Sequence, residues 1–162
     1  MIGSVPQQRN NMLIEVTQFN KERNKLELNQ MLEANMLAEE IKEFWDAVTI
    51  AERLDALVDT EYVWMGTKVK YSFNNITLPR DLEDGVHQSL NLMEAYLQEE
   101  LGEHFWTCLQ AARKIVCQAN ELKGMEKDKD GKVLKDKAYK EAIDATKTIA
   151  LMIEAETKPR DY

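Results

Sequence analysis

Between Leu37 and Gly66 the chain reads LAEEIKEFWDAVTIAERLDALVDTEYVWMG, with helical apolar spacing on both sides of a single capping signal. At about 100° per residue, Leu37, Ile41, Phe44 and Val48 fall in one narrow arc and predict a core-facing stripe. Glu40 and Glu43 lie on its shoulder, on a line shared with Met36 and Ala47, and Glu39 lies further round. In the second half, Ala51, Leu54, Val58 and Met65 occupy one side while Leu57 and Trp64 occupy the other. A helix that is apolar nearly all round is a buried helix. Yet Asp55 and Asp59 are i,i+4 neighbours on it, and Glu52 lies one turn earlier on the same line.

Buried carboxylates do not stay ionised without compensation, and acids three or four residues apart repel one another. No Lys or Arg shares the line of Glu52, Asp55 and Asp59, and Arg53 points away from it. A hard divalent cation with oxygen ligands is the economical compensation, Mg²⁺ first and Mn²⁺ as the alternative ion. The competing reading is a solvated acidic face, which is what most acidic clusters are. Thr49-x-x-Glu52 is a capping box that ends one helix and starts the next at about Ile50. It gives Glu52 a structural task that ranks above metal ligation. The turn is short, so the two helices should run antiparallel with their acids facing each other.

The rest of the chain continues the helical pattern. Met12, Leu13, Val16 and Phe19 predict a short helix over about 9–23 after a loose tail over 1–10. A helix over about 30–47 follows, and the next one ends near Gly66. The segment TKVKYSFNNITLPR reads as a loop or short extended piece, after which Asp81 should cap a helix carrying Leu90, Met93, Leu97 and Leu101. Gly102 marks a break or kink. A helix over about 103–121 carries Phe105, Leu109, Ala112 and Val116, and a last one carries Tyr139, Ile143, Ile149, Leu151 and Ile153. Between them Asp130-Gly131 is a turn signal within a mixed-charge segment. The expected fold is all-α, a single-domain bundle of about five or six helices.

With 162 residues the chain can bury one core. Its 29 acids against 21 bases give a formal charge of −8, which argues against nonspecific binding to nucleic acid or an anionic membrane. No apolar run approaches the roughly 18 residues of a membrane span, and the N-terminus lacks a signal-peptide core. Cys108 and Cys117, nine positions apart on one helix, are about 13 Å apart along its axis and out of disulfide reach. Reduced core thiols and a cytoplasmic location are the expectation.

The chain has no Gly-rich phosphate loop, no CxxC pair and no HExxH. A di-iron bundle needs Glu-x-x-His on two helices. Asp84-Gly-Val-His87 only approaches that pattern, and Glu100 to His104 has the wrong spacing. His87 and His104 are therefore read as surface or capping residues. What remains is a carboxylate-lined cleft between antiparallel helices.

Glu39-Glu40-x-x-Glu43, then Asp55-Ala-Leu-Val-Asp59, Tyr62-Val63 and Gly66-Thr67, resemble the all-α nucleoside triphosphate pyrophosphohydrolases. That superfamily includes the MazG-like, dimeric dUTPase-like and phosphoribosyl-ATP pyrophosphohydrolase-like enzymes. The resemblance implies Mg²⁺-dependent hydrolysis of a nucleoside or deoxynucleoside triphosphate to the monophosphate and pyrophosphate, as in nucleotide-pool sanitation. It places Glu40, Glu43 and Asp59 at metal-ligand positions, with Asp55 beside them and Glu39 as the base that orients water. The family's second motif is ExxD. With Asp59 as its final residue the Glu falls on Ala56, and Asp55 substitutes from one position earlier. The other register is Glu52-x-x-Asp55, one turn before. The YVWMGT continuation favours the Asp59 register. Downstream, Asn120-x-x-Lys123, then Lys132, Lys135 and Tyr139 around Asp130-Gly131, resemble nucleotide-facing elements of some members. Family membership also implies a homo-oligomer, a dimer or tetramer. A noncatalytic helical interaction protein with an acidic surface and a hydrolase of another phosphoanhydride, such as an alarmone, are the rival readings.

Overall fold

The computed structural model describes residues 12–18, 20, 26–121 and 144–159. Residues 12–18 and 20 are helical, followed by α1 (Gln30–Asp46), α2 (Ile50–Phe73), α3 (Arg80–Leu101), α4 (Phe105–Glu121) and α5 (Ala145–Thr157). A single 3₁₀ turn, Gly102–His104, joins α3 to α4. No strand occurs among the described residues, so the protein is an all-α bundle. None of its described helices is long and apolar enough to cross a membrane.

The bundle is organised around α2, which packs against α1, α3, α4 and α5. Its burial on both sides follows from its sequence: Leu54, Leu57 and Val58 are fully enclosed, and Trp64 is nearly so. The main core joins these residues to Phe44 of α1, Met93 and Leu97 of α3, and Phe105, Leu109, Ala112 and Val116 of α4. Ile149 of α5 and Met12 and Val16 of the N-terminal helical residues close it. A second, smaller cluster holds Leu37, Trp64 and Val86. Cys108 and Cys117 are buried free thiols, in line with the spacing argument.

Thr49 caps α2 as read, and Glu52 reaches back to the cap through the Thr49 hydroxyl. Thr49 Oγ1 accepts from Glu52 N at 3.1 Å and donates to Glu52 Oε1 at 2.9 Å. Gly102 breaks the chain direction with φ +55 and ψ −128, a conformation that only glycine adopts cheaply.

Four local expectations are corrected. The helix expected to end near Gly66 runs on to Phe73, so TKVKYSF is helical and only NNITLP connects to α3. Its continuation is held by Thr67, Lys70 and Tyr71, which stay buried at i, i+3 and i+4. Gly66 serves close approach instead of termination: a Cβ there would lie 3.3 Å from Asn20 Nδ2 and 3.6 Å from Val16 Cγ1. The helix stops where Asn74 bonds back to the Lys70 and Leu26 carbonyls and Asn75 turns to φ +54. Pro79, not Asp81, is the N-cap of α3, and Asp81 and Glu83 sit in the first turn, favoured there by the helix dipole. Val48, expected in the core stripe, is 88% exposed because α1 ends at Asp46 and leaves it in the turn. Leu151 is also exposed, on the outer face of α5 opposite the buried Ile149.

Candidate functional site

The antiparallel pairing of α1 and α2 has a register pinned at both ends. At the open end, Glu33 of α1 is buried and accepts from Thr67 Oγ1 at 2.7 Å and from Lys70 Nζ, both on α2. At the turn, Arg53 Nε and Nη2 donate to the Ala47 carbonyl at 3.2 and 3.1 Å, and the guanidinium lies 4.4 Å from the centroid of the Tyr96 ring. Arg53 therefore does point away from the acids. Two helical turns from Glu33 brings the chain to Glu40, and two turns back from Thr67 brings it to Thr60, beside Asp59. The acids of both helices thus occupy the same middle levels of the pair.

Nearer the turn, about one helical turn from those levels, a cleft of about 350 Å³ is lined by Glu43, Asp46, Ala47, Glu52, Asp55, Ala56 and Thr146. Four of these are carboxylates and none is basic. Asp46 is engaged with Lys42 on the exposed face, and Glu52 with its cap, Thr49. Asp55 is half-buried and accepts from Thr146 Oγ1 of α5 at 3.1 Å. Glu43 is exposed and opens onto the cleft from α1.

The structure brings together only part of the expected set. Glu43 and Asp55 share the cleft, while Glu40 and Asp59 are half-buried on neighbouring turns outside its lining and Glu39 is exposed. Glu40 Oε2 is enclosed and meets no hydrogen-bond donor among the described residues, the side chain being engaged elsewhere. No three Asp, Glu, His or Cys side chains among the described residues already stand close enough to hold one ion. The donor chemistry itself fits a hard cation: among the described residues the polar side chains of the lining are carboxylates and one hydroxyl, with no imidazole or thiolate.

Of the residues expected to face a nucleotide, Asn120 is buried near the end of α4 and does not line the cleft. Lys123, Lys132, Lys135 and Tyr139 lie outside the described residues. Thr146 and Asp46 were missed by the sequence reading. Asp46 carried a signal, being one turn beyond Glu43; Thr146 carried none, since only the tertiary docking of α5 brings it to Asp55.

A second cavity, about 300 Å³, lies between α2 and α3 and is lined by Glu61, Trp64, Met65, Lys68, His87, Leu90, Asn91 and Glu94. Its buried acid, Glu61, is held by Arg113 of α4 through Nε at 3.1 Å and Nη2 at 2.6 Å. His87 is exposed and meets Trp64 edge-on. The charges of this cavity are mixed, Lys68 standing with Glu61 and Glu94, unlike those of the acidic cleft. No known protein family, curated protein or solved structure matches the chain.

Proposed function

We propose that the protein is a Mg²⁺-dependent nucleoside triphosphate pyrophosphohydrolase whose metal is held by acids of α1 and α2. The observation that carries this reading is the cleft in which Glu43 and Asp55, from antiparallel helices, face a common space lined, among the described residues, by four carboxylates and no basic side chain. The resemblance of Glu39-Glu40-x-x-Glu43 and Asp55-x-x-x-Asp59 to the pyrophosphohydrolase motifs supplies the reaction.

Glu40, Glu43, Asp55 and Asp59 would hold the ion, with Mn²⁺ as a substitute. Bound there, the metal supplies charge neutralisation at the phosphate oxygens and acidifies water. Glu39, exposed at the level of the cluster, accepts a proton from the attacking water as general base. The water oxygen bonds to the α-phosphorus, the bond from that phosphorus to the bridging oxygen breaks, and pyrophosphate leaves. Lys123, Lys132 and Lys135 would offset triphosphate charge, and Asn120 and Tyr139 would contact the nucleotide. A homo-oligomer in the cytoplasm is part of the same reading.

The test is incubation of the purified chain with a panel of ribo- and deoxynucleoside triphosphates, with and without Mg²⁺, and identification of products. Pyrophosphate and monophosphate in equal amounts are expected, only with the metal. Orthophosphate release would point to a different phosphoanhydride reaction. No turnover of any nucleotide would favour the noncatalytic interaction protein.

A further inference from the structure

We infer that Thr146 is a positioning residue for Asp55, which makes α5 a working wall of the metal cleft as well as a packing element of the core. The inference rests on the reading of the cleft as a Mg²⁺ site. Thr146 Oγ1 donates to Asp55 Oδ2 at 3.1 Å, and both residues line the cleft.

The contact is not a generic habit of helical threonines. Thr148 and Thr157, on the same helix, donate to the carbonyls four residues earlier, at 2.9 and 2.7 Å. Thr146 is the second residue of α5, and its hydroxyl bonds across to α2 instead. Its position is fixed from both directions. Asp144 caps the helix by accepting from Lys147 N at 3.0 Å, and Ile149, one turn beyond Thr146, is fully buried in the core.

A hydroxyl suits this task better than an ammonium would. It has one proton to donate, so it orients the carboxylate through Oδ2 and occupies only one acceptor position there. It also adds no positive charge that would compete with a cation between Asp55 and Glu43. Hydrogen-bonded partners that orient ligands in this way set metal affinity as well as rate.

The experiment compares wild type, T146V and T146S by Mg²⁺ titration calorimetry without nucleotide, and by the Mg²⁺ dependence of pyrophosphate release. T146V removes the hydroxyl at nearly constant volume and should weaken Mg²⁺ binding about 10- to 100-fold, the usual loss when an outer partner of a ligand is removed. T146S keeps the donor and should stay within about threefold of wild type. T146V binding Mg²⁺ as wild type does would overturn the inference while leaving the cleft reading intact. So would equal losses in T146S and T146V, or a T146V chain that no longer folds, since either assigns Thr146 to packing. A wild type that binds no Mg²⁺ would remove the cleft reading first and this inference with it.

Discussion

An acid at the edge of an apolar stripe is defined by what compensates it, and the acids of this chain separate on that basis. Glu33 and Glu61 are buried and neutralised by Lys70 and Arg113. Glu43 and Asp55 face a cleft whose described lining residues include three further polar side chains, Asp46, Glu52 and Thr146, and no base. Replacing either by its amide should reduce Mg²⁺-dependent pyrophosphate release by at least about 100-fold, the upper end of what outer partners of a metal cause. Circular dichroism should remain that of wild type. Glu39→Gln should lower kcat by about 10²–10⁴-fold, as loss of a general base does, with the Mg²⁺ requirement unchanged. The cysteines give a prediction independent of function. Burial, helped by the Glu156 carboxylate, raises the Cys108 thiol from 9.0 to about 11, and burial followed by Glu15 raises Cys117 as well. Both should resist a thiol reagent at pH 8 until the protein unfolds. The sign of the linkage is that of a raised pKa: the Cys108 contribution is complete below about pH 9 and is lost as pH rises through about 11.

The pairing of α1 with α2 depends on long-range contacts that no local pattern announces. The helical periodicity, the Thr49–Glu52 box and the core positions of α3 and α4 were legible because each is a relation between residues within a few positions of one another. Glu33 with Lys70 was not, since the partners are 37 residues apart and the segment holding Lys70 reads as polar loop until Glu33 arrives to pair it. The same limit hid Thr146, 91 residues from Asp55. Even so, the sequence placed Glu43 and Asp55 on facing helices, while Glu40 and Asp59 differ from expectation in lying outside the cleft lining. The Glu33–Lys70 pair makes a testable element. Glu33→Gln or Lys70→Met alone leaves a buried charge uncompensated and should cost about 3–5 kcal/mol in denaturant unfolding. The double replacement Glu33→Leu with Lys70→Met should cost clearly less than the sum of the single losses.

At the scale of the whole molecule, acidity and metal binding are linked. A chain of formal charge −8 concentrates four carboxylates on one cleft, and self-repulsion there works against the compact state. Binding a cation to the folded form alone should therefore stabilise it. At Mg²⁺ about 100 times its Kd, the gain is about 2.7 kcal/mol, or an increase in Tm of about 5–10 °C for a chain this long. NaCl at equal ionic strength should not reproduce it, because screening does not select the cleft. The most direct measurement is titration of Mn²⁺ into the protein, with bound ion followed by electron paramagnetic resonance in wild type, Glu43→Gln and Asp55→Asn. The prediction is a saturable bound population in wild type, displaced by Mg²⁺ and lost in both variants although the two acids belong to different helices. Bound Mn²⁺ that survives both substitutions, or none in wild type, would contradict a shared metal site between α1 and α2.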